Sequence, residues 1–295
     1  MEIYEAYFTN LHVLAAILLP ILSIVALFWI FRRSSNPRTR SRSLSLMMLL
    51  SIFFWLLIGL SLVVCFALSE AYEYQPEVAV RTTLGISLLL AIFSGIPLTF
   101  LLRRYSPRIL LRNVKDLSQP QAHTATAFRT ICRKVGVADA ELRISKVKLP
   151  ISFVAEMGKP VVVISERLLS LLERDEIEAV LAHELAHVKN SDTALKAMVT
   201  AYRTALPHDP IIHLVEAAFH REREMLADQT AVKATGKPLS LASALLKIHE
   251  AFPRSNLRSY GTLSILGGGG GLMNRHPSIT HRVNYLLGLA KMSPH

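Results

Sequence analysis

The sequence predicts an α+β chain in which N-terminal transmembrane helices precede a mainly helical domain with a small β-sheet. Hydrophobic residues make up 51% of the 295 residues, and the mean hydropathy is +0.36. Three uncharged apolar runs lie in the first 102 residues, and short β-rich runs and amphipathic helical patterns follow from about residue 113. We therefore divide the chain into a membrane domain, residues 1–112, and a second domain, residues 113–295.

The three apolar runs have the length of membrane-spanning helices. They cover residues 13–31, 44–68 and 84–102 and contain no charged residue. A helix of nineteen residues is about 28 Å long, close to the ~30 Å hydrocarbon core of a bilayer. Buried core helices are the alternative, but three such runs within a hundred residues favour membrane spans.

The charges on the connecting loops predict the orientation of these spans. Residues 32–43 carry five arginines and no acidic residue, whereas residues 69–83 carry three glutamates and one arginine. Four more arginines lie within residues 103–112. Because positively charged loops stay on the cytoplasmic side, we expect a multi-pass integral membrane protein, of the cell membrane if the source is prokaryotic. Its N-terminus lies outside and its second domain lies in the cytoplasm.

Composition excludes some classes of function. The net charge of +11 arises largely from arginines beside the apolar runs, where arginines contact anionic lipid. We therefore expect the lipid bilayer as a partner and no binding of nucleic acid. The two cysteines, Cys65 and Cys132, form no CxxC pair, so neither a disulfide framework nor a cysteine zinc site is available.

The second domain alternates helical and extended patterns. We predict strands at 142–147, 151–155 and 161–164 and helices at 122–135 and 165–172. A capping box of Asp175 and Glu178 opens a further helix, which runs to about Lys189. An amphipathic helix follows at 193–206, and the next helix begins at Asp209 and Pro210 and ends at Gly236.

One of these helices carries a metal-binding motif. His183 and His187 lie four residues apart and project from one face of the helix, where both can bind one zinc ion. Glu184 can take a proton from a zinc-bound water, whose pKa zinc lowers to about 7, and pass it to the leaving amine. A chance match is the alternative. The motif predicts a zinc endopeptidase with one Zn²⁺ per chain.

A catalytic zinc site needs a third protein ligand and one open position. Four side chains fall on one stripe of the helix ending at Gly236: His213, His220, Glu224 and Asp228. We choose Glu224 as the ligand, with Asp228 one turn later as the acceptor that orients a zinc histidine. Spacing alone leaves His220 as an alternative ligand, and residues 221–224 can also be interpreted as a solvated charged face.

These motifs resemble those of the HtpX-type membrane proteases and the related CAAX prenyl endopeptidases. The pattern of those families is HExxH followed by ExxAD, and residues 183–187 and 224–228 match it. Asn190 and Asp192 match the usual continuation of the first motif. The resemblance covers roughly residues 113–295, and it implies a zincin-like fold in which Glu224 completes the zinc site.

A third motif lies near the C-terminus. His276 and Pro277, followed by Arg282, resemble the HP…R element of the same family. The histidine and the arginine of that element assist the tetrahedral intermediate, so the resemblance implies catalytic roles for His276 and Arg282. The alternative is a loop followed by an arginine on a helix surface.

The function predicted from these features is hydrolysis of membrane-associated or misfolded polypeptides on the cytoplasmic side. Residues 152–155 are predicted either as an edge strand that holds an extended peptide beside the zinc site or as a strand of the sheet core. One alternative function is that of a signalling membrane metalloprotease resembling the β-lactam sensor-transducers, although the external segments here are short. The other is a non-catalytic membrane scaffold, which the intact Glu184 disfavours.

Overall fold

The computed structural model describes residues 2–68, 117–157, 159–192, 209–251 and 278–292, with isolated positions at 86, 199 and 203. These ranges form a mainly helical chain with one small sheet, as the sequence predicts. The helices are α1 (Glu2–Arg33), α2 (Pro37–Leu68), α3 (Ala122–Val135), α4 (Glu166–Leu171), α5 (Arg174–Lys189), α6 (Pro210–Thr235), α7 (Pro238–Ala251) and α8 (Ile279–Met292). The strands are β1 (Leu117–Ser118), β2 (Glu141–Ser145), β3 (Ser152–Met157) and β4 (Lys159–Ser165).

The chain divides into two compact units. The first comprises Met1–Leu102 and Tyr202–Val215, and the second comprises Arg103–Ala201 and Glu216–His295. The predicted boundary near residue 112 stays a prediction.

Helices α1 and α2 form the described part of the first unit. Helix α1 contains the predicted run 13–31, and α2 contains the run 44–68. Among the described residues, one helical segment is long and apolar enough to cross a membrane, the 25 residues Pro37–Ser61 with a mean hydropathy of 2.3. Apolar side chains on α1 are exposed, with Trp29 at 64%. The third predicted run lies outside the described residues, apart from position 86.

Asp209 begins α6 as the sequence predicts. Its Oδ1 atom accepts a hydrogen bond from the backbone N–H of Ile211 at 2.8 Å, and Pro210 occupies the first helical position. Its Oδ2 atom accepts a hydrogen bond from the Ser51 hydroxyl of α2. Both side chains are buried and belong to the first unit, so the cap also fixes the first turn of α6 to α2.

The second unit is built on a four-stranded sheet in the order β1-β2-β4-β3. Strands β2 and β4 are parallel, and the other two pairs are antiparallel. Three of the strands are predicted from the sequence, with ends shifted by one or two residues, whereas β1 is not. Among the described strands, β3 lies at one edge of the sheet, which agrees with the edge-strand alternative for residues 152–155. Phe153 and Val154 of this strand also belong to the buried core.

The core of the second unit lies between the sheet and helices α3, α5 and α7. Strand β4 supplies Val162, Val163 and Ile164, which are all fully buried because helices and neighbouring strands enclose them. Helix α3 has the predicted bounds and ends at Gly136, whose φ of 79° places it in the left-handed region. Leu245 of α7 packs into the same cluster.

The predicted capping box of α5 is wrong. The N-cap is Glu173 rather than Asp175, and the helix starts at Arg174. The Glu176 carboxylate accepts a hydrogen bond from the Glu173 backbone N–H at 2.8 Å, while the Glu173 side chain accepts from the Glu176 backbone. The N-cap is a glutamate instead of the usual short residue, and the predicted capping box therefore begins two residues too late. For the amphipathic helix predicted at 193–206, only positions 199 and 203 are described.

Candidate metal centre

Helix α5 presents two histidines at one place. The Nε2 atoms of His183 and His187 are 3.1 Å apart, and the ring planes are nearly perpendicular, at 87°. Both rings are buried because residues 179–187 of α5 all lie in the interior. Nitrogens bound to one tetrahedral zinc ion lie about 3.3 Å apart. The two rings therefore have the separation that a shared metal ion requires.

Glu224 of helix α6 meets the two histidines. Its Oε2 atom lies 3.4 Å from His183 Nε2, and its Oε1 atom lies 3.6 Å from His187 Nε2. In the part of the chain that the structure describes, these three residues are the group that can hold a metal ion, with ligand atoms all within 4.8 Å of one another. Two imidazoles and one carboxylate, leaving one position open, suit a catalytic zinc ion.

His220 lies elsewhere on α6. It is buried one turn before Glu224, and its Nε2 atom is 3.9 Å from Glu216 Oε1. The group of described residues that can hold a metal does not include it. The geometry therefore favours Glu224 over His220 as the third ligand.

Two aspartates orient the histidine rings. Asp228 Oδ1 lies 2.9 Å from His183 Nδ1, and Asp192 Oδ2 lies 2.6 Å from His187 Nδ1. A carboxylate at Nδ1 keeps the proton on that nitrogen and leaves Nε2 free to bind a metal. Ser191, two residues beyond the end of α5 and directly before Asp192, adopts a φ of 56°.

Arg282 of α8 braces the Asp228 carboxylate. Its Nε and Nη2 atoms donate hydrogen bonds of 2.8 and 2.6 Å to the two oxygens of Asp228, and its Nη1 atom lies 3.5 Å from Glu224 Oε2. Arg282 is fully buried. Burial alone raises the pKa of Asp228, but Arg282 and His183 outweigh it and lower that pKa. The interpretation of Arg282 as a helix-surface arginine is therefore wrong.

The electrostatics of the centre favour a cation. Burial disfavours a charged His183 ring, but the hydrogen bonds of Asp228 and Glu224 outweigh this effect and raise the pKa of His183 to about 9. The same carboxylates attract a divalent metal at Nε2. Glu184 is also buried. Burial lowers the pKa of Arg282, but the charges of Asp228, Glu224 and, least, Glu184 outweigh it and raise that pKa.

Residues 221–224 do not form a solvated charged face. Glu222, Arg223 and Glu224 are all at least 93% buried. The Arg223 guanidinium contacts the Asp192 carboxylate and donates a hydrogen bond to the Asn190 carbonyl. Sequence reasoning missed this arginine. The local sequence carries no signal for its burial, since residues 221–224 are all charged.

The remaining predicted site residue is His276. It lies outside the described residues, so its role stays a prediction.

Comparisons with known proteins place these residues among peptidases. The BlaR1 peptidase M56 family matches residues 70–264, about two thirds of the chain. A protease HtpX homolog of Pyrococcus abyssi is 31% identical over 182 residues, which cover 50% of this chain and 62% of that protein. One of Methanopyrus kandleri is 36% identical over 173 residues, covering 45% and 54%. The chain thus spans less than two thirds of the length of these relatives.

A solved structure also matches the chain. The crystal structure of Ste24p from S. mikatae matches with a TM-score of 0.43 and 14% sequence identity, covering 77% of this chain and 62% of that one.

Proposed function

Because the chain belongs to the BlaR1 peptidase M56 family, we propose that it is a membrane-anchored zinc endopeptidase acting on the cytoplasmic side. One observation carries the proposal: the buried convergence of His183, His187 and Glu224, with Glu184 on the same helix as the two histidines. The similarity to HtpX homologs supports the same activity.

In the proposed site, His183, His187 and Glu224 hold the zinc ion through Nε2, Nε2 and a carboxylate oxygen. Bound zinc supplies Lewis-acid polarisation of a carbonyl and a water of lowered pKa. The Glu184 carboxylate accepts a proton from the attacking water and delivers it to the nitrogen of the leaving amine. Asp192 and Asp228 hold the two rings at Nδ1 throughout.

Arg282 and His276 are proposed to assist the reaction in different ways. The Arg282 guanidinium fixes Asp228 and lies close to Glu224, so we assign it the positioning of two metal-binding side chains. For His276 we retain the role that the resemblance implies, which is to stabilise negative charge developing on the substrate carbonyl oxygen.

Strand β3 is the proposed binding edge for the polypeptide substrate. It pairs with β4 on one side, lies at the edge of the sheet, and packs against the metal-binding helix α5. An extended peptide can add to such an edge through backbone hydrogen bonds, which gives broad sequence tolerance. This arrangement supports endopeptidase activity on unfolded or membrane-associated chains.

The membrane anchor is proposed to consist of α1, α2 and the apolar run at 84–102. The exposed apolar side chains of α1 and the apolar segment Pro37–Ser61 of α2 support it. The arginines at the end of α1 and at the start of α2 favour the cytoplasmic side for these two helix ends.

A second candidate function is signalling by cleavage of a repressor. The match to the BlaR1 peptidase M56 family favours it. The two functions differ in substrate: a degradative protease acts on many membrane proteins, whereas a signalling protease acts on one soluble repressor.

One experiment tests the proposal and separates the two candidates. Wild type purified in detergent should contain about one zinc per chain, which the double variant His183→Ala/His187→Ala should lack. Proteomes of cells expressing wild type or Glu184→Gln should then differ, because the variant keeps its zinc but cannot move the proton. If the abundance of many membrane proteins differs between the two proteomes, the result supports degradation. If one soluble protein differs, the result supports signalling. Exposed Glu166→Gln is the control. Unchanged proteolysis by Glu184→Gln contradicts the mechanism.

A further inference from the structure

We propose that Arg223 is a positioning residue that fixes His187 by holding the Asp192 carboxylate, so that each metal-binding histidine is held by its own carboxylate and arginine. This inference rests on the proposed function, and it deepens that function by adding a residue to the metal centre. We assign its action to the Asp192 carboxylate, which its guanidinium contacts.

The contacts of Arg223 define this role. Its Nη2 atom contacts Asp192 Oδ1, while the other oxygen, Oδ2, lies 2.6 Å from His187 Nδ1. The guanidinium therefore fixes the carboxylate from the side opposite the imidazole. Without this contact the Asp192 side chain can rotate about its own bonds and lose the orientation that His187 requires.

Arg223 is itself held in place by two further contacts. Its Nη2 atom donates to the Asn190 backbone carbonyl, at the end of helix α5. The centre of its guanidinium lies 5.8 Å from the centroid of the Phe219 ring, one turn earlier on α6. A planar guanidinium holds its donors in a fixed geometry, whereas a lysine ammonium is a point charge on a flexible stem. The geometry therefore favours arginine over lysine at this position.

The two sides of the centre are built alike. Arg282 holds Asp228, which faces His183 Nδ1, and Arg223 holds Asp192, which faces His187 Nδ1. Both arginines are buried, with Arg282 at 0% and Arg223 at 7% exposure. Asp192, Asp228 and Arg282 belong to motifs singled out in the sequence, whereas Arg223 does not.

Charge balance gives a second, independent reason. The buried charged groups near the ligands include the carboxylates of Asp192 and Asp228 and the guanidinium groups of Arg223 and Arg282. Buried charges are tolerated when they are paired. Removing Arg223 leaves the Asp192 carboxylate, buried beside His187, without the cation that it contacts.

The test is a double-mutant cycle on metal retention and on the metal's spectrum. The variants are Arg223→Gln, Arg223→Lys, Asp192→Asn and the double variant Arg223→Gln/Asp192→Asn. Exposed Lys233→Gln, on the same helix, is the control for loss of a positive charge. Zinc loss is followed in excess chelator, and the visible absorption spectrum is recorded on the Co²⁺-substituted protein. Circular dichroism of each variant verifies folding.

If the inference holds, Arg223→Gln and Asp192→Asn each accelerate zinc loss by about 10–100-fold, as is usual for residues that orient metal ligands. The double variant loses zinc no faster than Asp192→Asn alone, because the two residues act through one contact. Arg223→Lys restores part of the retention, and the Co²⁺ spectrum of Arg223→Gln shifts in the same direction as that of Asp192→Asn.

Two results would overturn the inference. One is additive effects of the two substitutions, which would show that Arg223 supports the fold independently of Asp192. The other is a folded Arg223→Gln variant with wild-type zinc loss and a wild-type Co²⁺ spectrum. Both differ from failure of the proposed function, in which the wild-type protein itself would hold no zinc.

Discussion

The guanidinium of Arg282 and the carboxylate of Asp228 form a fully buried bidentate pair, with hydrogen bonds of 2.8 and 2.6 Å. Two parallel hydrogen bonds between these planar groups fix the carboxylate plane. The same carboxylate faces His183 Nδ1 at 2.9 Å. The pair therefore connects helix α8, near the C-terminus, to the orientation of a metal-binding ring on α5.

The first prediction follows from this pair. Arg282→Met should destabilise the second unit by about 3–5 kcal/mol, because Asp228 is left as a buried charge without its cation. Zinc retention should fall as well, since Asp228 then no longer fixes His183. Arg282→Lys should have a smaller effect on both quantities, because it keeps the charge but not the bidentate geometry.

Thermal unfolding in detergent and zinc content measure these effects. Arg129→Gln, at an exposed position on α3, is the matched control and should change stability by no more than about 0.5 kcal/mol. An Arg282→Met protein with wild-type stability and full zinc content would show that the pair is not needed.

The second prediction separates Glu224 from His220 as the third metal ligand. Glu224→Ala should remove most of the zinc, because its carboxylate oxygens lie 3.4 and 3.6 Å from the two histidine nitrogens. His220→Ala should leave zinc bound, since His220 lies beside Glu216 and outside the ligand group. Metal analysis after dialysis measures both. The reverse order would transfer the ligand role to His220.

The third prediction concerns Glu176, whose carboxylate joins α5 to α7. It accepts hydrogen bonds from the Ser243 hydroxyl at 2.6 Å, from Lys247 Nζ at 2.9 Å and from the Glu173 backbone N–H. Burial raises the pKa of Glu176, but these donors outweigh it and lower the pKa. A carboxylate with a lowered folded-state pKa adds stability above its unfolded-state pKa of about 4.3, and that stability is lost as the pH falls further.

Glu176→Gln should therefore destabilise the protein at pH 7, by about 1.5–3 kcal/mol for hydrogen bonds to a charged group. Below about pH 4.3, where a free glutamate carboxyl titrates, the free energy of unfolding of Glu176→Gln should fall less steeply with pH than that of wild type. Unfolding temperatures from pH 3 to pH 7 measure the difference. Exposed Glu250→Gln on α7 is the control. An equal loss on acidification in Glu176→Gln and wild type would exclude this role.

The sequence predicts the metal-binding helices well because their signals are local. A few neighbouring residues are enough to identify three features: the two histidines at a spacing of four, the start of α6 at Asp209 and Pro210, and the end of α3 at Gly136. Their consequences for helix geometry do not depend on distant contacts.

What the sequence does not predict depends on contacts between distant segments. Arg223 reads as a surface charge until Asp192, 31 positions earlier, is seen beside its guanidinium. The position of the α5 cap could not be predicted for the same reason, since Ser243 and Lys247 of α7 hold the Glu176 carboxylate that forms the box. Strand β1 has only two residues, too few to produce a periodic pattern.

The last prediction concerns the orientation of the chain in the membrane. The connection between the apolar runs 13–31 and 44–68 carries five arginines within residues 32–43, and no acidic residue lies between positions 6 and 69. Moving five arginines across a membrane is disfavoured, so this connection should stay in the cytoplasm. With three spans, the N-terminus lies outside and the metal centre inside.

A reporter that is active only in the cytoplasm, fused after His295, should be active, and a tag before Met1 should be accessible on intact cells. Replacing the five arginines by glutamine should reduce the fraction of chains with an external N-terminus, whereas replacing Lys233 and Lys237, far along the chain, should not. An inaccessible N-terminal tag together with a cytoplasmic C-terminus would indicate an even number of spans, and would assign the error to the run at 84–102 or to residues 193–206. An external C-terminus would contradict the proposed orientation altogether, and would move the substrates to the other side of the membrane without changing the metal centre.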